Sequence, residues 1–300
     1  MLIGGSLCGS CSGGDLTRRM RAEVVGASGV RIGVRIDGER HAPALVFVHG
    51  WAQSARAWDT QFADPELRER FRLIAPDLRG HGGSEAPEGG YGDPATWAAD
   101  LAAVLELAGG DAVVVGWSYG GLVITDYLRT HGTRGLAGIA FVGAITEIGK
   151  GRPGGRVGPA MADALPAALS DDLGVALPAL TALAEGMAHR PVPGEFSQAL
   201  LGASLAVPPR VRRALFRRDV DSADVLAAVD VPVLVVHGTD DAVVDVTAGE
   251  YTAGKIAGVS ARWWPGVGHL PFVESAREFD TTLRRFAEQA FESVLGRAER

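Results

Sequence analysis

The chain has 300 residues, 47% hydrophobic and 22% charged, with a formal net charge of −7 at neutral pH. That length suits one large α/β domain carrying an insertion better than two unrelated domains. The acidic balance excludes a broad phosphate-neutralising surface, and with it a nucleic-acid binder, while no apolar run reaches the roughly 20 residues of a membrane span. A soluble, cytoplasmic protein is expected. Met1 to Asp15 is Gly- and Ser-rich and has neither the basic start nor the apolar stretch of a secretory signal, so residues 1–19 read as a disordered extension. Cys8 and Cys11, the only cysteines, lie within it. No second Cys or His pair completes a metal site, and neither metal nor cofactor is expected.

Arg21 to Val25 and Val30 to Asp37 alternate or run apolar around Gly26 and Gly29, which predicts an antiparallel strand pair. Ala44 to Val48 predicts a fully buried strand that stops at His49-Gly50-Trp51. Ala57 to Phe71 predicts a helix, and Arg72 to Ala75 a short strand closing at Pro76-Asp77. Leu78 to Ser84 is too glycine-rich for either and reads as a loop. Asp93-Pro94 is an N-cap followed by proline in the first turn, and Trp97, Leu101, Val104, Leu105 and Ala108 recur at helical spacing.

Ala112 to Val115 is a continuous apolar run, the pattern of a strand buried on both faces, and Leu122 to Arg129 reads as a mostly buried helix. Between them lies Gly116-Trp117-Ser118-Tyr119-Gly120-Gly121. A serine there sits on a sharp turn that lifts its hydroxyl above the sheet, and Gly116 and Gly120 are needed for close backbone approach. Leu136 to Val142 predicts another buried strand. Strands this apolar, separated by helices, imply a parallel sheet covered on both sides. After Gly143 the rhythm breaks, and residues 149–225, rich in Ala and Leu with scattered Pro, are expected to form a helical cap between core segments 20–148 and 226–300. Val231 to Val236 resumes the sheet; Val246 to Ile256 predicts a helix, Ser260 to Trp264 a last strand, and Glu274 to Leu295 a closing amphipathic helix.

A serine hydroxyl needs a base within reach, and the base needs an orienting acid. Of seven histidines, His269 is the best base, because its loop follows the last strand and can reach back over the sheet. His49 and His237 end buried strands and are expected to hydrogen-bond neighbouring loops; His81 is ambiguous, and His41, His131 and His189 read as surface residues. For the acid, Asp240 and Asp241 share one loop and cannot both face one imidazole, and Glu147 is a third candidate. The spacing does not choose among them, and a turn-capping role for the two aspartates competes. The backbone N–H of Tyr119 at a helix start, with that of Trp51, would serve a developing oxyanion.

These motifs, His49-Gly50-Trp51, Asp77-Leu78-Arg79-Gly80-His81-Gly82-Gly83-Ser84, Gly116 to Gly121, the aspartate loop and Gly268-His269-Leu270-Pro271, occur in the order of the α/β-hydrolase family, which the chain resembles over residues 21–295. The resemblance implies a mostly parallel eight-stranded sheet flanked by helices, with a helical cap between the sixth and seventh strands. It selects Asp241 as the acid, through the family's Gly-x-x-Asp loop pattern, and Trp51 and Tyr119 N–H as the oxyanion hole. Within the family the chain looks most like the esterase and cofactor-free haloperoxidase (perhydrolase) branch; Ser118 excludes the epoxide hydrolases and haloalkane dehalogenases, which place an aspartate there. The implied activity is serine hydrolysis of a carboxylic ester or lactone of a small, mostly apolar molecule through an acyl-enzyme. A cofactor-independent oxygenase, lyase or C–C bond hydrolase on the same scaffold is the alternative, and a ligand-binding protein with residual hydrolysis the second.

Trp51, Trp117, Tyr119 and Phe141 are candidates to line an apolar pocket, against the reading that they are core. Arg210, Arg213 and Arg217 share a helical face that could bind a substrate carboxylate, against the reading of a solvated face.

Overall fold

The computed structural model describes residues 20–298; the N-terminal extension with Cys8 and Cys11 lies outside the described residues. One sheet of eight strands organises the chain: β1 (Met20–Val25), β2 (Arg31–Asp37), β3 (Ala44–Val48), β4 (Arg72–Pro76), β5 (Ala112–Trp117), β6 (Leu136–Val142), β7 (Val233–Gly238) and β8 (Ser260–Trp264). Their spatial order is β1-β2-β4-β3-β5-β6-β7-β8. The β1–β2 and β2–β4 pairings are antiparallel and all others parallel. Every residue of β3, β5, β6 and β7 is buried. That is why these segments read as unbroken apolar runs: a strand covered by helices on both faces has no wet side to mark with polar residues.

Local chemistry sets the helix limits. In α1 (Pro65–Arg70) the Asp64 carboxylate accepts the Leu67 N–H. In α2 (Pro94–Ala108) the Asp93 carboxylate accepts the Ala95 N–H, and Gly109, at φ 79°, closes the helix in a conformation that costs glycine little. The helix expected over residues 57–71 is broken into short 3-10 turns at Ala55–Trp58 and Gln61–Ala63, followed by α1. The cause is Pro65, which forces the preceding Asp64 out of helical geometry, to φ −69° and ψ 121°. Two further helices, α3 (Tyr119–His131) and α9 (Val246–Lys255), follow β5 and β7. The closing helix is similarly divided into α10 (Pro271–Glu274) and α11 (Ala276–Ala298), because Ser275 is not helical.

Between β6 and β7 the chain forms α4 (Pro159–Ala168), α5 (Leu173–Gly186), α6 (Gly194–Ala206), α7 (Pro209–Leu215) and α8 (Ala223–Ala227). An antiparallel bridge between Ile148 and Val220 ties the two ends of this insertion together. The insertion meets the loops at the carboxyl ends of the strands: the Met187 carbonyl accepts the His269 N–H at 2.7 Å, and Leu200 and Ser204 accept from Gln53 Nε2. Beneath those loops lies an aromatic cluster of Phe47, Trp58, Phe62, Trp117, Phe272 and Phe279. Side chains of this size dominate core energetics, so the cluster is a stiff floor for whatever rests on it.

Candidate active site

β5 ends at Trp117 and α3 begins at Tyr119, leaving Ser118 alone on the turn at φ 54° and ψ −121°. A serine held there costs about 1–3 kcal/mol. Three backbone bonds offset it: the Ser118 N–H donates to Val142 O at 3.1 Å, and its carbonyl accepts from Gly121 at 3.0 Å and Ile145 at 3.1 Å. The flanking glycines are steric requirements. A Cβ on Gly116 would lie 2.6 Å from Ile124 Cδ1, and one on Gly120 would lie 2.4 Å from Val48 O.

His269 hangs between β8 and α10, fixed through its own backbone. Its carbonyl accepts the Trp117 indole N–H at 2.9 Å, and the two rings lie 5.3 Å apart. Its Nδ1 is 2.7 Å from Asp241 Oδ2. An ionised carboxylate only accepts, so Nδ1 carries the proton and Nε2 is left to face elsewhere. Asp241 is itself surrounded by donors: Oδ1 accepts the Val243 and Val244 N–H groups at 2.8 and 2.9 Å, and Oδ2 lies 3.2 Å from His237 Nε2. Burial pushes the Asp241 carboxyl up, but the two histidines outweigh it and hold it well below the usual carboxylate range. Gly143, at φ +48°, makes room; a Cβ there would sit 3.2 Å from both Asp241 Oδ2 and His269 Nδ1.

The other two carboxylates considered as acids are used elsewhere. Exposed Asp240 accepts from the Thr239 hydroxyl and the Gly266 N–H, both at 2.8 Å, bracing its own loop. Glu147 is buried and accepts from Gly154 N–H, Ser222 N–H and the Tyr251 hydroxyl, joining the entry and exit of the insertion. Neither bonds His269, whose Nδ1 meets Asp241, the aspartate that the family resemblance selects.

The loop after β3 presses on the serine: a Cβ on Gly50 would lie 2.9 Å from Ser118 Cβ. Two buried histidines hold this loop. His49 Nε2 accepts the Leu78 N–H and its Nδ1 is 2.8 Å from Gly50 O; His81 Nε2 accepts the Ala52 N–H and its Nδ1 is 2.9 Å from Arg79 O. An accepting Nε2 forces the neutral Nδ1–H tautomer on both rings. Burial lowers His49 to about 4, and burial with the neighbouring His49 lowers His81 to about 3, so neither ring is charged near neutrality. His81, ambiguous in sequence, is thereby a loop-holding residue. The backbone N–H groups of Trp51 and Tyr119 take no part in the backbone bonds of these turns.

The four candidate pocket residues all have packing partners. The Trp51 indole N–H donates to Arg212 O at 3.1 Å and its ring meets Phe216 edge-on. Trp117 packs among Trp58, Phe272 and His269. The Tyr119 hydroxyl reaches Leu215 O and Arg218, and its ring abuts Trp97. Phe141 is buried in β6 beside Gly121. The three arginines do not share one helical face: Arg210 pairs with Glu88 at 3.1 Å and Arg213 with Asp171 at 2.8 Å, while exposed Arg217 lies beyond the end of α7 at Leu215. Sequence reading missed Arg218 and Asp126, a wholly buried ion pair; the signal was Asp126, the one acidic residue of α3, within its buried stretch. It also missed that His237 touches the acid, which the i,i+4 spacing to Asp241 at a strand end allows.

Among the described residues, no group of three or more His, Cys, Asp or Glu is arranged to hold a metal ion, and no helix is long and apolar enough to cross a membrane.

A mixed sheet in this order, with a strained serine turn at the end of its fifth strand, belongs to one class of protein, the α/β-fold hydrolases. A model of the alpha/beta hydrolase family matches residues 45–281. The crystal structure of esterase RhEst1 from Rhodococcus sp. ECU1013 is similar at a TM-score of 0.85 and 47% identity, covering 89% of this chain and 98% of that one. The non-heme chloroperoxidase of Streptomyces lividans is 32% identical over 270 residues, which is 82% of this chain and 92% of the relative. The bifunctional esterase/perhydrolase DCH of Acinetobacter calcoaceticus is 29% identical over 269 residues, with the same coverage of 82% and 92%. The chain therefore belongs to the alpha/beta hydrolase family, in its esterase and perhydrolase branch, and is an α/β-fold hydrolase.

Proposed function

We propose that the protein is a serine esterase acting on a carboxylic ester or lactone of a small, mostly apolar molecule, with residues 149–225 as a cap over the site. The observation that carries this reading is the 2.7 Å bond from His269 Nδ1 to the buried, donor-surrounded Asp241, beside a serine on a strained turn. A neutral imidazole so oriented has Nε2 free to take a proton. In the proposed cycle His269 Nε2 removes the Ser118 proton as Oγ attacks the carbonyl carbon. The oxyanion accepts from the Trp51 and Tyr119 N–H groups, a contribution of about 2.7–4 kcal/mol for each donor of this kind. Collapse returns the proton to the departing alcohol and leaves an acyl-Ser118; water, deprotonated by His269, then releases the acid.

The test is fluorophosphonate labelling with peptide mapping, alongside hydrolysis of short p-nitrophenyl esters. Label on Ser118, and loss of both label and turnover in Ser118→Ala with an unchanged melting temperature, is the expected result. Turnover at the wild-type rate in Ser118→Ala sinks the assignment.

The similarity to a chloroperoxidase and to an esterase/perhydrolase favours a second reading of the same intermediate. Hydrogen peroxide in place of water would attack the acyl-serine and release a peracid, with no metal or redox group involved. Ester-dependent peracid formation, abolished in Ser118→Ala, is its signature.

A further inference from the structure

The side chains of Trp51 and Tyr119 extend in chemically different ways, yet both end on one short stretch of the insertion. From Trp51, the indole N–H reaches Arg212 O at 3.1 Å and the ring meets Phe216 with centroids 5.3 Å apart. From Tyr119, the hydroxyl donates to Leu215 O at 3.3 Å and accepts from Arg218 Nη1 at 3.0 Å. Residues 212–218 thus hold the side chains of both residues whose backbone N–H groups face the reacting carbonyl in the proposed cycle.

Arg218 locks this stretch to the core. Its Nη2 donates to both oxygens of Asp126, at 2.8 and 2.6 Å, and neither side chain has any exposed surface. Asp126 lies on α3, the helix that starts at Tyr119, so the pair bolts the insertion to the helix that carries the serine turn. The guanidinium also lies 5.7 Å from the Trp97 ring and 5.9 Å from the Tyr119 ring. A buried ion pair is a poor way to gain stability, because desolvating both charges consumes most of the attraction, and packed apolar groups do as well or better. What a fork-shaped donor supplies is orientation.

We infer that Arg218, with Asp126, is a positioning residue: it couples the insertion to the two backbone donors of the proposed oxyanion hole, so that the seat of the insertion sets their aim. The inference rests on the esterase reading. Arg218 touches no reacting atom. Donors aimed at the oxyanion act on the transition state more than on the bound ester, so disturbing them lowers kcat and leaves KM nearly unchanged.

The experiment compares Arg218→Met/Asp126→Leu, which replaces the ion pair by apolar groups, with Tyr119→Phe, which keeps the ring but loses both hydroxyl bonds, and with Arg210→Gln as a surface control. For each, kcat, KM, melting temperature and inhibition by a trifluoromethyl ketone, whose hemiketal adduct with the Ser118 hydroxyl mimics the tetrahedral oxyanion, are measured. The double variant should melt within a few degrees of wild type while kcat falls about tenfold or more. KM should stay within about twofold and inhibitor affinity should fall in parallel with kcat. Tyr119→Phe should show the same pattern more weakly, and it carries the test if the double variant does not fold. Arg210→Gln should match wild type. Wild-type kcat in a folded double variant, or a lost kcat with inhibitor affinity intact, overturns the positioning role while leaving the esterase reading in place. A wild-type protein with neither fluorophosphonate label nor ester turnover overturns both.

Discussion

The strand-end site and the helical insertion are built on opposite logics. At the strand ends, function-bearing groups are held by backbone: Ser118 by three main-chain bonds, Asp241 Oδ1 by two N–H groups, and His269 through its own N–H and carbonyl. In the insertion, side chains do the holding, through Trp51, Tyr119, Gln53 and Arg218 reaching across long sequence separations. The difference is instructive. Backbone anchorage holds a group whatever the neighbouring side chains are, whereas side-chain anchorage depends on particular residues, so the seat of the insertion rests on contacts such as Arg218 with Asp126.

The sharpest way to break this contrast is to change the two neighbouring aspartates. Asp241→Asn should cut kcat by about 10⁴-fold, since an amide can present the wrong group to His269 and stabilise the wrong tautomer. Asp240→Asn, in an exposed bracing role, should stay within about twofold; comparable losses from both would mean that the acid is misassigned.

Next in size is steric. Gly120→Ala puts a methyl 2.4 Å from Val48 O, a backbone atom that cannot swing aside. It should destabilise by about 1–3 kcal/mol or more. A helical insertion residue such as Gly202, where a Cβ meets nothing within 4 Å, should accept alanine without loss of melting temperature. Equal melting temperatures for the two variants would erase the distinction between regions.

The buried histidines give a pH test. Their folded values of about 4 for His49 and about 3 for His81 lie below the ordinary 6.5. Between those limits the unfolded chain binds more protons, so the stability these two rings contribute is fully present above pH 6.5 and is lost as pH falls through about 4 and about 3. His81→Gln should flatten that decline in a melting-temperature profile.

Asp280 reverses the sign. Burial pushes its carboxyl up to about 7, against one hydrogen bond from Gln61. The native state therefore holds the extra proton between pH 3.8 and about 7, and its stability falls as pH rises through that window. Asp280→Asn should raise the melting temperature at pH 8 by about 2 °C or more and remove this slope. No change at pH 8 would show that the carboxyl ionises without penalty.

The smallest expected effect concerns the cap arginines. Neutralising Arg210 and Arg213, each already paired on the surface, should leave the ratio of kcat/KM for anionic and neutral esters unchanged. A selective loss on anionic esters would turn that face into a substrate site.

Much of the fold was legible because its signals are local. The apolar runs of β3, β5, β6 and β7, the Asp93-Pro94 start of α2 and the glycines around Ser118 each declare themselves within a few residues. The misread helix at 57–71 failed for a local reason as well, since Pro65 outweighed an otherwise helical composition. The site was legible in part. Placement after strand ends drew attention to Ser118, His269 and the aspartate loop, but Asp240 and Asp241 are adjacent and equally acidic. Their difference is that one side chain points into the sheet's end and the other into solvent.

Sequence by itself determined the sheet, its helical cover and the serine turn, since apolar strand runs, helix capping and the glycines spaced around Ser118 are all marked by neighbours along the chain. Only the tertiary structure decided that His237 as well as His269 meets Asp241, that His81 fastens a loop, and that Arg218 finds Asp126 at a separation of 92 residues. The physical reason is that a hydrogen bond or ion pair is made by distance and direction in space, and neither is written in the spacing of residues that the fold alone brings together.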